Sequence, residues 1–119
     1  MKICICGQLR DEILTELKKE HNEYTVINTE ITFTNFPAID YMITLYEHPE
    51  DNVIFNGGIF DGYISFKDNG GTSYLQDQLI LSYIQGVDKI IINTKDASSS
   101  LLNTIREYES LYPKKIEMR

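Results

Sequence analysis

The chain has 119 residues, of which 42% are hydrophobic, and this is enough for one compact domain over residues 1–119. Its net charge of −7 disfavours direct contact with nucleic acid or anionic lipid, because both of these carry negative charge. No apolar run approaches the roughly 20 residues of a membrane helix and no signal peptide is recognisable, so we expect a cytoplasmic protein.

The first half of the chain alternates strand and helix patterns. Residues 2–6 predict a strand that ends in a tight turn at Gly7. A helix that ends near residue 21 follows, with an apolar face formed by Leu9, Ile13, Leu14 and Leu17. Residues 24–27 are β-branched and predict a second strand. Pro37 begins a second helix, and its predicted apolar face consists of Ala38, Ile39, Met42, Ile43 and Tyr46.

The second half continues the alternation. Residues 53–55 predict a third strand that Gly57 interrupts, and residues 89–92 predict a fourth. Between them, Thr72 or Ser73 caps a helix that ends at Gly86, where we expect a left-handed cap. Asp96 or one of the serines at 98–100 starts a last helix, and residues 115–118 predict a fifth strand. Residues 28–36 and 59–66 fit either a loop or a strand.

This order of elements predicts a three-layer α/β domain of the Rossmann-like or P-loop-like kind. Its sheet has four or five mainly parallel strands, and helices cover both faces. Cys4 and Cys6 lie at strand spacing and so face the same side of the first strand. We interpret them as small core residues, and the sequence predicts neither a metal nor a cofactor.

Ligands of open parallel sheets bind at the carboxyl ends of the strands, so the turn after Gly7 is a candidate phosphate-binding position. A phosphate-binding loop needs further glycines, a lysine and a hydroxyl, and none of these follows Gly7. Asp11 and Glu12 follow, and their carboxylates would repel phosphate. We therefore expect no nucleoside triphosphate site of the usual type.

The segment after the third strand resembles that of P-loop nucleoside and nucleotide kinases, in which a hydrophobic strand runs into Asp-Arg-x-x-x-Asp. Asn56 and Gly57 replace the first two residues of that motif, and Asp61 matches its second Asp. The order of elements along the chain is also similar to those kinases without their lid. In the family, the Asp-Arg pair serves the substrate hydroxyl and phosphate. The resemblance therefore implies a degenerate kinase-like domain without phosphate-transfer activity.

A second, weaker resemblance starts at Asp68. The segment from Asp68 to Thr72 is similar to the Gly-Thr turn of nucleoside deoxyribosyltransferase-like domains. Those domains carry a functional Glu three residues after the Thr, where this chain has Leu75. A plain helix cap at Thr72 explains the same residues. Asp61 and Asp68 fit either a carboxylate pair or two solvated turn residues.

The candidate ligand-binding residues are thus Gly7, Asn56, Gly57, Asp61, Asp68 and Thr72, and no catalytic residue is assigned. The sequence favours a small acidic protein that binds a protein partner with a basic surface. Eight tyrosines without a tryptophan are consistent with an interface. Frequent Ile, Asn, Lys and Tyr fit an AT-rich genome, such as that of a phage, and favour an inhibitor of a host nucleic-acid-handling or defence protein. The alternatives are a nucleoside or nucleotide sensor, a small nucleotide-processing enzyme and an oligomeric structural component.

Overall fold

Five parallel strands form the centre of the protein. A computed structural model describes residues 1–7, 9–29, 37–57, 78, 81–82, 84–95 and 97–119. The strands are β1 (Lys2–Cys6), β2 (Thr25–Asn28), β3 (Val53–Asn56), β4 (Lys89–Ile92) and β5 (Ile116–Met118). They lie in the order β2-β3-β1-β4-β5, and every strand pair is parallel. The predicted three-layer α/β fold is therefore confirmed, with the fifth strand included.

Along the chain, helices α1 (Arg10–Glu20), α2 (Pro37–Glu47) and α3 (Ser99–Leu111) connect successive strands. Residues 81–82 and 84–86 are also helical. Ser98 caps α3, because its hydroxyl accepts a hydrogen bond from the Leu101 N–H at 3.1 Å. One of the caps predicted for this helix is thereby confirmed. Within the described ranges, no helix has both the length and the apolar composition that a membrane crossing requires.

The sheet divides the core into two apolar clusters, and helices cover the cluster on each face. Ile13 and Leu17 of α1 pack on the first face against Ile3, Ile5, Ile54 and Ile91. The second face is covered by residues of α2, α3 and the helical segment around Ile84. Cys4 and Cys6 belong to this second cluster as fully buried free thiols, with their sulfurs 3.5 Å apart. They are core residues, as predicted.

The predicted apolar face of α2 is wrong in its last turns. Met42 and Leu45 pack against the core. Ile43 is 49% exposed and Tyr46 is 86% exposed, so both lie on the outer side of the helix. The apolar residues of α2 follow helical spacing on two adjacent faces, and contact with the sheet determines which of these faces is buried.

Gly86 is helical, and the left-handed cap predicted for it is also wrong. A Cβ atom on this residue would lie 2.5 Å from Cδ2 of Leu45. Gly86 therefore permits a close approach between its helical segment and α2. Gly7 does adopt a left-handed conformation, with φ of +96°, and a Cβ there would lie 2.5 Å from the Asn93 carbonyl oxygen.

These two glycines form a matched pair for mutation. We expect Gly7→Ala to destabilise the fold by at least about 2 kcal/mol, since it strains φ and pushes against backbone. Gly86→Ala should cost less than about 1 kcal/mol, because a helical alanine is favourable and the Leu45 side chain can rotate. Urea unfolding of both variants measures the difference. Equal losses of stability would contradict this account of Gly7.

Candidate functional site at the carboxyl edge of the sheet

The topology places a crevice at the carboxyl ends of β1 and β3. These strands are neighbours, and α1 follows β1 on one face of the sheet, whereas the chain after β3 returns on the other face through Ile84. Open α/β sheets bind ligands at such a point, where the connections diverge. Gly7, Asn56 and Gly57, three of the predicted site residues, lie here. Asp61, Asp68 and Thr72 lie outside the described residues.

Both strands leave the sheet at a glycine with positive φ, Gly7 at +96° and Gly57 at +82°. The Gly57 N–H donates a hydrogen bond to the Ile5 carbonyl at 2.9 Å, which holds the two strand ends together. Asn56 continues the crevice, and its amide nitrogen donates to Asn28 Oδ1 at 2.9 Å. Asn56 Oδ1 is buried and has no hydrogen-bond donor within reach among the described residues. The crevice thus contains a buried acceptor.

Arg10 is a residue of this crevice that the sequence analysis did not identify. Its guanidinium nitrogen lies 3.1 Å from the position that a Cβ on Gly57 would occupy, so the side chain lies directly on the end of β3. Arg10 is the first residue of α1, where the helix dipole favours acids over bases. A basic residue in this unfavourable position is the sequence feature that could have identified Arg10 as a site residue. The crevice therefore combines a cation with amide groups.

Asn93 connects the β1–α1 turn to the end of β4. Its backbone N–H donates to the Cys6 carbonyl at 2.9 Å, and its side-chain amide donates to the Leu9 carbonyl at 3.1 Å. Its Oδ1 accepts from the Lys95 N–H at 2.9 Å. Leu9, predicted as part of the apolar helix face, is instead a left-handed residue that precedes α1 and is 48% exposed. Asn93 therefore fixes the backbone around Gly7.

A concave surface feature lies beside these strand ends, between α1 and the ends of β4 and β5. We call it the α1–β5 cleft; its volume is about 450 Å³, and it is lined by Glu12, Ile13, Glu16, Asn93, Thr94, Lys95 and Arg119. Arg119 donates to Glu16 at 3.0 Å, and Lys95 lies 3.6 Å from Glu12. Ion pairs thus connect the two walls of this cleft.

Titratable groups elsewhere do not build a comparable site in the described part of the chain. The pKa of the Glu50 carboxyl is lowered, first by a hydrogen bond to its own backbone and then by His48 and Lys2. Glu50 precedes β3 and so lies at the opposite, amino edge of the sheet. No group of three or more His, Cys, Asp or Glu residues that could hold a metal ion occurs within the described ranges.

Comparison of the chain with protein-family models, with curated proteins and with solved structures gave no match. The resemblance to nucleotide kinases accordingly remains a prediction that depends on the sequence motif.

Replacement of Asn93 tests whether it holds the β1–α1 turn. We expect Asn93→Ala to destabilise the protein by about 1–3 kcal/mol, because the Leu9 carbonyl and the Lys95 N–H lose their partners. Thr94→Val is the control, since the Thr94 hydroxyl makes one exposed hydrogen bond, to Arg119. It should cost no more than about 1 kcal/mol in urea unfolding. An Asn93→Ala variant as stable as the control would exclude this role.

Proposed function

We propose that this protein acts by binding a protein partner with a basic surface, and not by catalysis. The observation that carries the proposal is the first turn of α1, which lies where a nucleotide-binding domain would hold phosphate. Its acidic residues are Asp11 and Glu12, and both are exposed. Beside them, Gly7 is packed against the Asn93 backbone. Negative charge at this position opposes a phosphate ligand and favours a cationic one.

The outer side of α1 supports the same proposal. Glu12, Glu16 and Glu20 are exposed and recur at intervals of four residues, so they follow one side of the helix. Like charges at this spacing destabilise a helix by a few tenths of a kcal/mol per pair. Lys95 and Arg119 offset two of them from the cleft side. A protein surface that retains such a row of acids is suited to a basic partner, and the net charge of −7 would speed the association.

On this proposal the domain is a degenerate relative of the nucleotide kinases that its motif resembles. Its role would be that of a phage or mobile-element inhibitor. The acidic surface would occupy the nucleic-acid channel of a host nucleic-acid-handling or defence protein, because such channels are lined by basic residues.

Partner capture with charge variants tests the proposal. The wild-type protein is immobilised on a resin and exposed to a bacterial lysate. We expect it to retain a basic protein at about 50 mM salt and to release it at about 500 mM, because salt screens exposed charges. The variant Asp11→Asn/Glu20→Gln should retain much less of it. Glu47→Gln/Glu107→Gln removes the same charge on the opposite layer and should bind like the wild type. Capture that is insensitive to both salt and the α1 variant would disprove the proposed docking mode.

The second candidate function is a nucleoside or nucleotide sensor, and the contact of Arg10 with Gly57 at the crevice favours it. A thermal-shift panel of nucleosides, mono-, di- and triphosphates and cyclic nucleotides, with and without Mg²⁺, tests this candidate. A ligand at 100 times its dissociation constant stabilises a protein by about 2.7 kcal/mol. Arg10→Met should abolish the shift for phosphorylated ligands and spare that for nucleosides, whereas Lys18→Met should change neither. A panel without any shift would rule out this candidate.

A further inference from the structure

The α1–β5 cleft has the size and the charge arrangement of a small-molecule site. Its volume of about 450 Å³ falls within the range of ligand pockets. Glu12 and Glu16 of α1 form one wall, and Lys95 and Arg119, which follow β4 and β5, form the other. Two negative and two positive groups therefore face each other across the cleft.

The balance of charge selects the kind of ligand. A purely anionic molecule would be repelled by the two glutamates, and a purely cationic one by Lys95 and Arg119. A zwitterion presents a group of the right sign to each wall. Small zwitterions with adjacent ammonium and carboxylate groups are the α-amino acids.

The two ion pairs differ in how easily a ligand could open them. The Arg119 guanidinium donates to Glu16 at 3.0 Å and to Glu117 at 3.1 Å, so two carboxylates hold it in place. Lys95 and Glu12 are 3.6 Å apart, and their side chains are 59% and 62% exposed. An exposed pair of this length contributes little to stability, so its separation by a ligand costs little. The Arg119–Glu16 pair would then stay closed, and the Lys95–Glu12 pair would open to admit the ligand between its two side chains.

We propose that the α1–β5 cleft binds a small α-amino acid, with the ligand's ammonium group on Glu12 and its carboxylate on Lys95. The remaining lining limits the ligand's side chain. Ile13 is 4% exposed and Asn93 is 8% exposed, so neither offers much surface to the ligand, whose side chain would instead contact the charged and hydroxyl side chains of the lining. Amino acids with small or polar side chains fit best. The proposal does not depend on the partner-binding role, although Glu12 and Glu16 belong both to the acidic row of α1 and to the cleft.

Titration with glycine, alanine, serine and glutamine tests the proposal on the full chain. We expect at least one of them to raise the melting temperature by about 3–6 °C at ten times its dissociation constant, and to raise it further with the logarithm of its concentration. Propionate and ethylamine each carry one of the two charged groups of alanine and should give no comparable shift. In ¹⁵N spectra of the wild-type protein, the backbone amide signals of Glu12 and Lys95 should shift along a saturation curve. The dissociation constant from this curve should agree with the one from the melting temperatures.

Charge variants locate the site. Glu12→Gln and Lys95→Met should each weaken binding about tenfold or more, because each removes a hydrogen bond to a charged group. Glu23→Gln removes an exposed carboxylate that follows α1 outside the cleft, and this variant should bind like the wild type. The proposal is overturned if none of the four amino acids shifts the melting temperature or the amide signals. Equal binding of the single-charge analogues, or unchanged binding in both cleft variants, overturns it as well.

Discussion

The burial of β1 from Ile3 to Cys6 is the constraint on which the rest of the structure depends. This strand has β3 on one side and β4 on the other, and its residues Ile3 to Cys6 are at most 2% exposed. The chain must leave this crowded position after Cys6 without opening a gap in the core. Gly7 provides the turn with a positive φ, and the Asn93 carbonyl lies where a side chain would begin. The geometry of the candidate site therefore begins with the packing of the central strand.

The same packing explains why the β1–α1 turn differs from a phosphate-binding loop. Asn93 occupies the space beside Gly7 and holds the Leu9 carbonyl through its amide. The Leu9 carbonyl is thereby bonded to the protein itself, and the Asn93 carbonyl oxygen occupies the space beside Gly7. Chemistry at this edge then depends on side chains that project from α1 and from the strand ends, such as Arg10 and Lys95.

The elements of this fold were largely readable from local sequence, and the contacts between elements were not. A continuous apolar run identified β1, and Pro37 marked the start of α2, because these signals act within a few residues. The exposed side of α2 was mispredicted, since Ile43 and Tyr46 are as apolar as the residues that pack inward. The cleft joins α1 to residues more than seventy positions away, and only the order of the strands in the sheet brings them together.

In the described ranges, charged side chains, and not a helix, cover the part of the sheet that lies beside α1. On this face Ile91 is 1% exposed, and among the described residues the buried cluster under α1 includes no residue of β5, whereas α3 packs against the other face of β5. Glu117 lies between Lys89 at 3.8 Å and Arg119 at 3.1 Å, and the aliphatic parts of these cations can shield the strand surface. Because Arg119 also binds Glu16, the network connects β5 to α1. Arg119 therefore belongs both to the ion pairs that cover the sheet and to the lining of the cleft, so a change of Arg119 affects the cover and the cleft together.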